Sequence, residues 1–530
     1  LAAIWQLKTG NCNLATAPNL HRTAQQGSIG NQHAALPDKG SNQSMSTTLN
    51  NSLFSCKPIE SMAEAAAAHG EHSFKRTLGP LSLVALGIGA IIGAGIFSLT
   101  GIAAADNAGP AVVLSFLIAA AGCGFAGLCY SELSSMIPAA GSAYTYAYAA
   151  LGELVAWIIG WALTLEYAVG AATVSVSWSA YVNQFLGTMG LALPHALIAS
   201  PFDTDAMGNP DPGIVNLPAI IVVVCVSLLL IRGISESAKV NAAIVALKLA
   251  VVAAVIGFGA FYVHPANWHP FIPPNTGTFG HFGISGILRG AGTVFFAYIG
   301  FDAVSTAAQE TKNPERDMPI GILGSLAICT VLYVLVCIVV TGLLSYTKLH
   351  TAAPVSLAIS QTPLPWLKVA VSIGAIAGLT SVILVMLLGQ SRVFYSMSRD
   401  GLLPPIFSAV HPTFRTPWLS NLLFMVFAGV AGGFLPISSL GHMTSMGTLL
   451  AFVIVCIGVL VLRRTDPDRR RAFRTPYVPY VPIAGILVCG LLMLSLPLQT
   501  WVLALVWLAI GLVVFFSYSR RHSHLTRRRL

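Results

Sequence analysis

The stretch that most constrains this chain is Gly87 to Phe97, GIGAIIGAGIF, which lies inside a charge-free apolar run from Thr77 to Ala105. A run of that length reads as a membrane span, because about 20 apolar residues cross the hydrocarbon core of a bilayer. Yet Gly87, Gly89, Gly93 and Gly95 all fall within it, and clustered glycine weakens a helix and lets the backbone leave helical geometry. Backbone freed at membrane depth is tolerated only where it faces protein, water or a ligand. The segment therefore reads as a broken transmembrane helix whose break is a candidate binding site.

The rest of the chain fits the same solvent. Charged residues make up 9%, against about 25% in soluble domains, which excludes a largely water-facing surface. Apolar runs place twelve spans, at about 79–103, 110–136, 150–182, 214–231, 239–262, 284–307, 319–345, 366–396, 418–435, 440–463, 480–497 and 499–519. No soluble domain of useful size fits between them. Of the 28 Lys and Arg residues, all but Lys248, Arg289, Lys348 and Lys368 fall before the first span, in alternate connections or in the tail. By the positive-inside rule this puts both termini in the cytoplasm, and the net charge of +9 needs no nucleic-acid partner.

A second interruption follows five spans after the first. In Phe295 to Asp302, FFAYIGFD, Gly300 and an acidic residue sit in the middle of an apolar helix. Two interrupted helices at corresponding positions point to an inverted repeat of five plus five spans. Half-helix N-termini expose free N–H groups suited to a carboxylate, and half-helix C-termini expose carbonyls suited to an ammonium. The plainer alternative is that these glycines only let helices pack closely, as the GxxxG spacing of Gly89 and Gly93 allows. Glu166, Lys248 and Asp302 lie deep in spans, where an ionisable side chain is costly and so marks a functional candidate. A buried lysine is also a reasonable proton carrier; snorkelling or a structural ion pair is the competing account. Glu132, nearer a helix end, reads as structural.

Other chemistries find no support. The nine cysteines are scattered without a CxxC pair, and the thirteen histidines match no common ligand spacing, so neither a metal site nor a disulfide framework is expected. Gly87, Gly89 and Gly93 miss GxGxxG by one residue, and no GxxxxGK[ST] occurs.

Several long motifs in order now carry a resemblance: GIGAIIGAGIF, YSELSSMIPAAGSAYTYAY (Tyr130 to Tyr148), WALTLEY (Trp161 to Tyr167), FFAYIGFDAVSTAAQETKNPERDMPIGI (Phe295 to Ile322) and MLLGQSRVFYSMSRDGLLP (Met386 to Pro404). Together they resemble the cationic amino acid transporter branch of the amino acid, polyamine and organocation superfamily, over about residue 56 to His522. The resemblance implies an all-α polytopic membrane protein with a LeuT-type five-plus-five inverted repeat and two C-terminal helices. With composition and helix propensity read for the residues before the first span, the expected division is a disordered segment 1–56, a cytoplasmic juxtamembrane helix 57–78, repeats at 79–262 and 284–463, two added spans in 464–519 and a basic tail 520–530. The polar residues 1–44 precede Met45, an alternative start that makes them a candidate non-native leader.

The resemblance also assigns roles. Amides around Gly93, Ala94 and Gly95 would take a substrate carboxylate; carbonyls near Ile91, Phe296 and Ile299, beside Ala297 and Gly300, would take its ammonium. Phe296 would cap the substrate, Lys248 would stand where proton-coupled members replace sodium, and Glu166 and Asp302 would serve coupling or pocket polarity. Ala94 departs from the Ser or Thr of many relatives, so a hydroxyl contact to the carboxylate is missing. The expected function is secondary active, proton-coupled amino acid uptake by alternating access, with cationic selectivity left open. The alternatives are an exchanger of amino acids or polyamines and a transporter-like sensor. No enzymatic activity, cofactor or metal is expected; the partners are an amino acid, protons and the lipid bilayer, and the expected location is a bacterial inner membrane.

Overall fold

The first span starts as a helix over Pro80–Ile91, with proline at its first turn, and stops at Ile92, whose backbone turns extended (φ −72°, ψ 94°). No helical turn crosses Ile92 and Gly93; winding resumes at Ala94 and continues through Gly95–Leu99, Thr100–Ala103 and Ala104–Ala108, with π geometry in the first and last of these. The break expected from the glycine cluster is therefore present. The computed structural model describes residues 53–60, 62, 78–137, 141–191, 193–204, 209–233 and 238–527.

The second span is Val112–Met136 and the third Glu153–Thr188, with a π turn at Leu165–Val169. The fourth and fifth are Leu217–Ile231 and Ala238–Gly259. The sixth runs Gly283–Val294, tightens into a 3-10 turn over Phe295–Tyr298, unwinds at Ile299 to Asp302 and rewinds at Ala303–Thr306. The seventh to tenth are Pro314–Leu343, Pro365–Arg399, Trp418–Phe434 and Ile437–Thr465, and the last two are Tyr480–Ser495 and Leu498–Val514. Among the described residues a helix stands at each expected span, three of them (Leu217–Ile231, Trp418–Phe434 and Tyr480–Ser495) short apolar helices, and no strand occurs there.

Two short helices were not foreseen. Ser142–Ala150 is separate from the third span, whereas apolarity alone runs the span from residue 150. The chain turns at Gly152 with φ of +96°, and a Cβ there would lie 2.5 Å from the Phe54 carbonyl carbon. Pro354–Ile359 is the second, seated where the first span passes Gly101. The segment expected to be disordered through 56 is ordered from Leu53: Lys57 N donates to the Tyr148 carbonyl (3.1 Å), and Leu53 packs against the core. Residues 1–52 and most of the expected helix 57–78 lie outside the described residues.

Packing repeats across the two halves. The second span packs on the seventh, the third on the eighth and the fourth on the ninth, each on its counterpart five spans later. The fifth packs on the first and eighth, as the tenth packs on the sixth and third. That pattern is what a pseudo-two-fold inverted repeat dictates, and it brings the two broken helices together at the centre.

Candidate transport site

The two breaks cross at close range. A Cβ on Gly95 would lie 2.1 Å from the Ala297 Cα, and one on Gly300 would lie 2.8 Å from the Ala90 carbonyl carbon. Gly300 also holds φ at +118°, a backbone conformation that only glycine adopts without strain. Ile91, Ala94, Phe296, Ala297 and Ile299 are each at most 3% exposed. The crossing is thus closed from both ends of the bundle.

Stopping the first helix at Ile91 leaves its last carbonyls without helical partners, and side chains from neighbouring spans supply the missing donors. Lys248, on the fifth span and fully buried, donates from Nζ to the Gly89 carbonyl (2.6 Å) and the Ile92 carbonyl (2.9 Å). Tyr333, on the seventh span, places its hydroxyl 2.8 Å from the Ile91 carbonyl and 3.0 Å from the Ala297 carbonyl. On the other side of the break, the amides of Ala94, Gly95 and Ile96 precede the first renewed bond, from Phe97 N to Gly93 O (3.3 Å), and so form the free N-terminal turn of the second half-helix. Acceptors and donors therefore face the same gap from opposite half-helices, the arrangement an α-ammonium and α-carboxylate require.

Not every expected residue joins the crossing. The Phe296 carbonyl accepts from Ile299 N (3.2 Å) within its own turn. Asp302 is turned toward the third span, where its Oδ2 accepts from the Tyr167 hydroxyl (2.6 Å) and, at 3.5 Å, from Ser142. Glu166 neighbours Asp302 and Thr448 and is fully buried. The two acids form a pair beside the crossing, flanked by Tyr130 and Tyr146.

Both ends carry closing contacts. At the end bearing most of the arginines, Asp400 accepts from Lys57 Nζ (2.7 Å) and the Tyr144 hydroxyl (2.8 Å), and Glu153 accepts from Tyr148 (3.0 Å) and Ser523 (2.5 Å). At the opposite end His350 Nδ1 lies 2.7 Å from Asp106 Oδ1, and Ser98 bonds Ser177 and the Ala352 carbonyl. Tyr181 donates to the Phe97 carbonyl (2.7 Å).

The sequence of this site places it. A model of the amino acid permease family matches residues 78–523. The chain belongs to the amino acid permease family. The permease is 46% identical over 477 residues to a branched-chain amino acid permease of Bacillus subtilis, covering 90% of this chain and 99% of that one. It is 43% identical over 476 residues to the methylthioribose transporter of the same organism, covering 90% and 100%. It is 38% identical over 419 residues to a vacuolar cationic amino acid transporter of Arabidopsis thaliana, covering 79% and 68%. The permease is thus an integral membrane transporter of the all-α superfamily fold, not an enzyme.

Tyr333, Tyr167 and Ser142 are the contacts that motif reading missed. Tyr333 had a signal: tyrosine normally gathers at the membrane interfaces, whereas this one stands well inside the apolar run Pro314–Leu343. Tyr167, in the middle of the third span, carried the same signal; Ser142 had none, because its relevance depends on which helix faces Asp302.

Proposed function

We propose that the permease carries an amino acid by alternating access, holding its carboxylate at the amides of Ala94 and Gly95 and its ammonium at the carbonyls of Ile91 and Ala297, with a proton as the coupled ion. The observation that carries the coupled part is Lys248. Its nitrogen sits on two carbonyls freed by the first break, where a charged ammonium is well stabilised and a neutral amine is not. Loss of that proton weakens the tie between the fifth span and the first, and so links proton release to motion of the broken helix. The Glu166–Asp302 pair is a second place where a proton can reside, since two adjacent buried carboxylates repel when both are charged.

For the substrate side chain we favour a neutral group. Asp302 already serves Tyr167 and Ser142, and the relative of highest identity named above is a branched-chain amino acid permease. The distribution of basic residues supports cytoplasmic termini, and the bacterial relatives favour a bacterial cell membrane. The deciding experiment is uptake in proteoliposomes with labelled neutral and basic amino acids and methylthioribose, with and without an inward pH gradient. Gradient-stimulated uptake of a neutral amino acid is expected. Uptake that requires preloaded internal substrate would instead establish an exchanger, and selective methylthioribose uptake would overturn the amino-acid reading.

A further inference from the structure

Tyr333 holds an unusual position for a hydroxyl. It is 1% exposed, its ring packs against Phe116 and Tyr298 at centroid distances of 5.6 and 5.5 Å, and its oxygen stands between carbonyls of both broken helices. A tyrosine hydroxyl has one proton to give. Two buried acceptors therefore share a single donor, and neither is fully satisfied. An α-ammonium brings three protons and serves both at once.

We propose that the Tyr333 hydroxyl is the internal stand-in for the substrate's ammonium: it ties the Ile91 and Ala297 carbonyls together in the empty, closed carrier and yields them when substrate binds. This rests on the reading of the crossing as the amino-acid site. Tyr333 is a positioning residue, and its work falls on one step of the cycle. A carrier that takes up substrate against no internal partner must return empty, and the empty closed form is the state in which the two carbonyls depend on Tyr333. A carrier that exchanges substrate for substrate never passes through that state. The hydroxyl also competes with the ammonium for the same acceptors, so it stabilises the free protein against the bound one. By linkage its removal tightens binding while it slows empty return.

The test is Tyr333→Phe, which removes the hydroxyl and leaves the ring. Binding of the transported amino acid to purified protein, net uptake into substrate-free liposomes, and exchange into preloaded liposomes are measured side by side. The expected result is a Kd about threefold or more lower, net uptake slowed about tenfold, and exchange within about twofold of the parent. Equal slowing of net uptake and exchange, or a raised Kd, would mean that Tyr333 is packing alone, and overturns the proposal. Phe116→Leu, which perturbs the ring contact and keeps the hydroxyl, should leave the ratio of net uptake to exchange unchanged; a shift in that ratio matching Tyr333→Phe also overturns it.

The parent protein supplies an arm that needs no variant. The α-hydroxy acid matching the transported amino acid brings one proton, no more than Tyr333, and should fail to compete for uptake; inhibition equal to that by the amino acid counts against the proposal. A parent that neither binds nor exchanges any amino acid fails at the level of the site itself, a result distinct from normal transport without the predicted split.

Discussion

At the scale of single residues, the first break is completed by two donors that the broken helix does not itself contain. Lys248→Met keeps the length and apolar stem of the side chain but leaves the Gly89 and Ile92 carbonyls without their donor. Losing charge-assisted bonds of this kind costs about 1.5–3 kcal/mol, so gradient-driven uptake should fall about tenfold or more while membrane insertion persists. Unchanged gradient dependence in that variant would remove the lysine from the coupling step. The acidic pair should divide differently. Glu166→Gln should melt no lower than the parent, because it removes one of two adjacent buried carboxylates and keeps a side chain of the same shape. Asp302→Asn should melt lower, because it disturbs the acceptor used by Tyr167 and Ser142. Thermal unfolding in detergent checks both. The sequence alone revealed Lys248, Glu166 and Asp302 as costly at membrane depth. It could not pair the two acids with each other or assign the lysine to carbonyls, because those relations exist only once the third, fifth and sixth spans are packed.

At the scale of elements, the crossing of the half-helices is steric before it is chemical. Gly95→Ala would drive a methyl into the Ala297 backbone, 2.1 Å away, whereas a methyl at Gly93 would meet the side chain of Val382 at 3.3 Å. Gly95→Ala should therefore abolish uptake, and Gly93→Ala should retain a large part of it, as initial rates in whole cells would show. Both glycines look alike in the motif; only the course of the sixth span separates them. The Lys57–Asp400 pair acts on another element, the strip of chain before the first span. Its side chains are 30% and 17% exposed, so it is worth about 1 kcal/mol at most. Lys57→Ala should shift the ratio of apparent KM values measured from the two membrane faces by no more than about fivefold, with maximal rate preserved. Glu60, bonded to Arg469 in the same strip, is held below its usual carboxylate range by a backbone hydrogen bond and by that arginine. With a lowered value, the contact is present throughout the neutral range and is lost only as pH falls through it.

At the scale of the whole molecule, one buried charge pins the connection that leads from the repeats to the two added spans. Glu132 on the second span is 1% exposed and accepts two bonds from Arg463 (2.9 Å each) and one from Thr475 N (2.8 Å), with Arg471 at 3.1 Å. Arg463→Ala takes away the bidentate partner and should destabilise the permease by about 3 kcal/mol. Glu132→Ala should be comparably harmful, because it leaves two arginines facing each other; a melting temperature unchanged in either variant would contradict that account. The helix count, the breaks and the inverted repeat were legible in the sequence because they are written in apolar length and in glycine. The Glu132 cluster was legible only as a structural acid near a helix end, since its partners come from the end of the tenth span and the connection after it, more than 300 residues away.

Asp400 also has a wider consequence. Its side chain holds Lys57 from the leading part of the chain, and its carbonyl accepts from His524 N (3.1 Å) near the trailing end. Lys57 and His524 therefore meet at one corner of the same face. A donor and an acceptor fluorophore attached beside these two positions would start close together and separate as that face opens. The permease could then report its own working cycle as an optical signal, with no label placed in the path of its cargo.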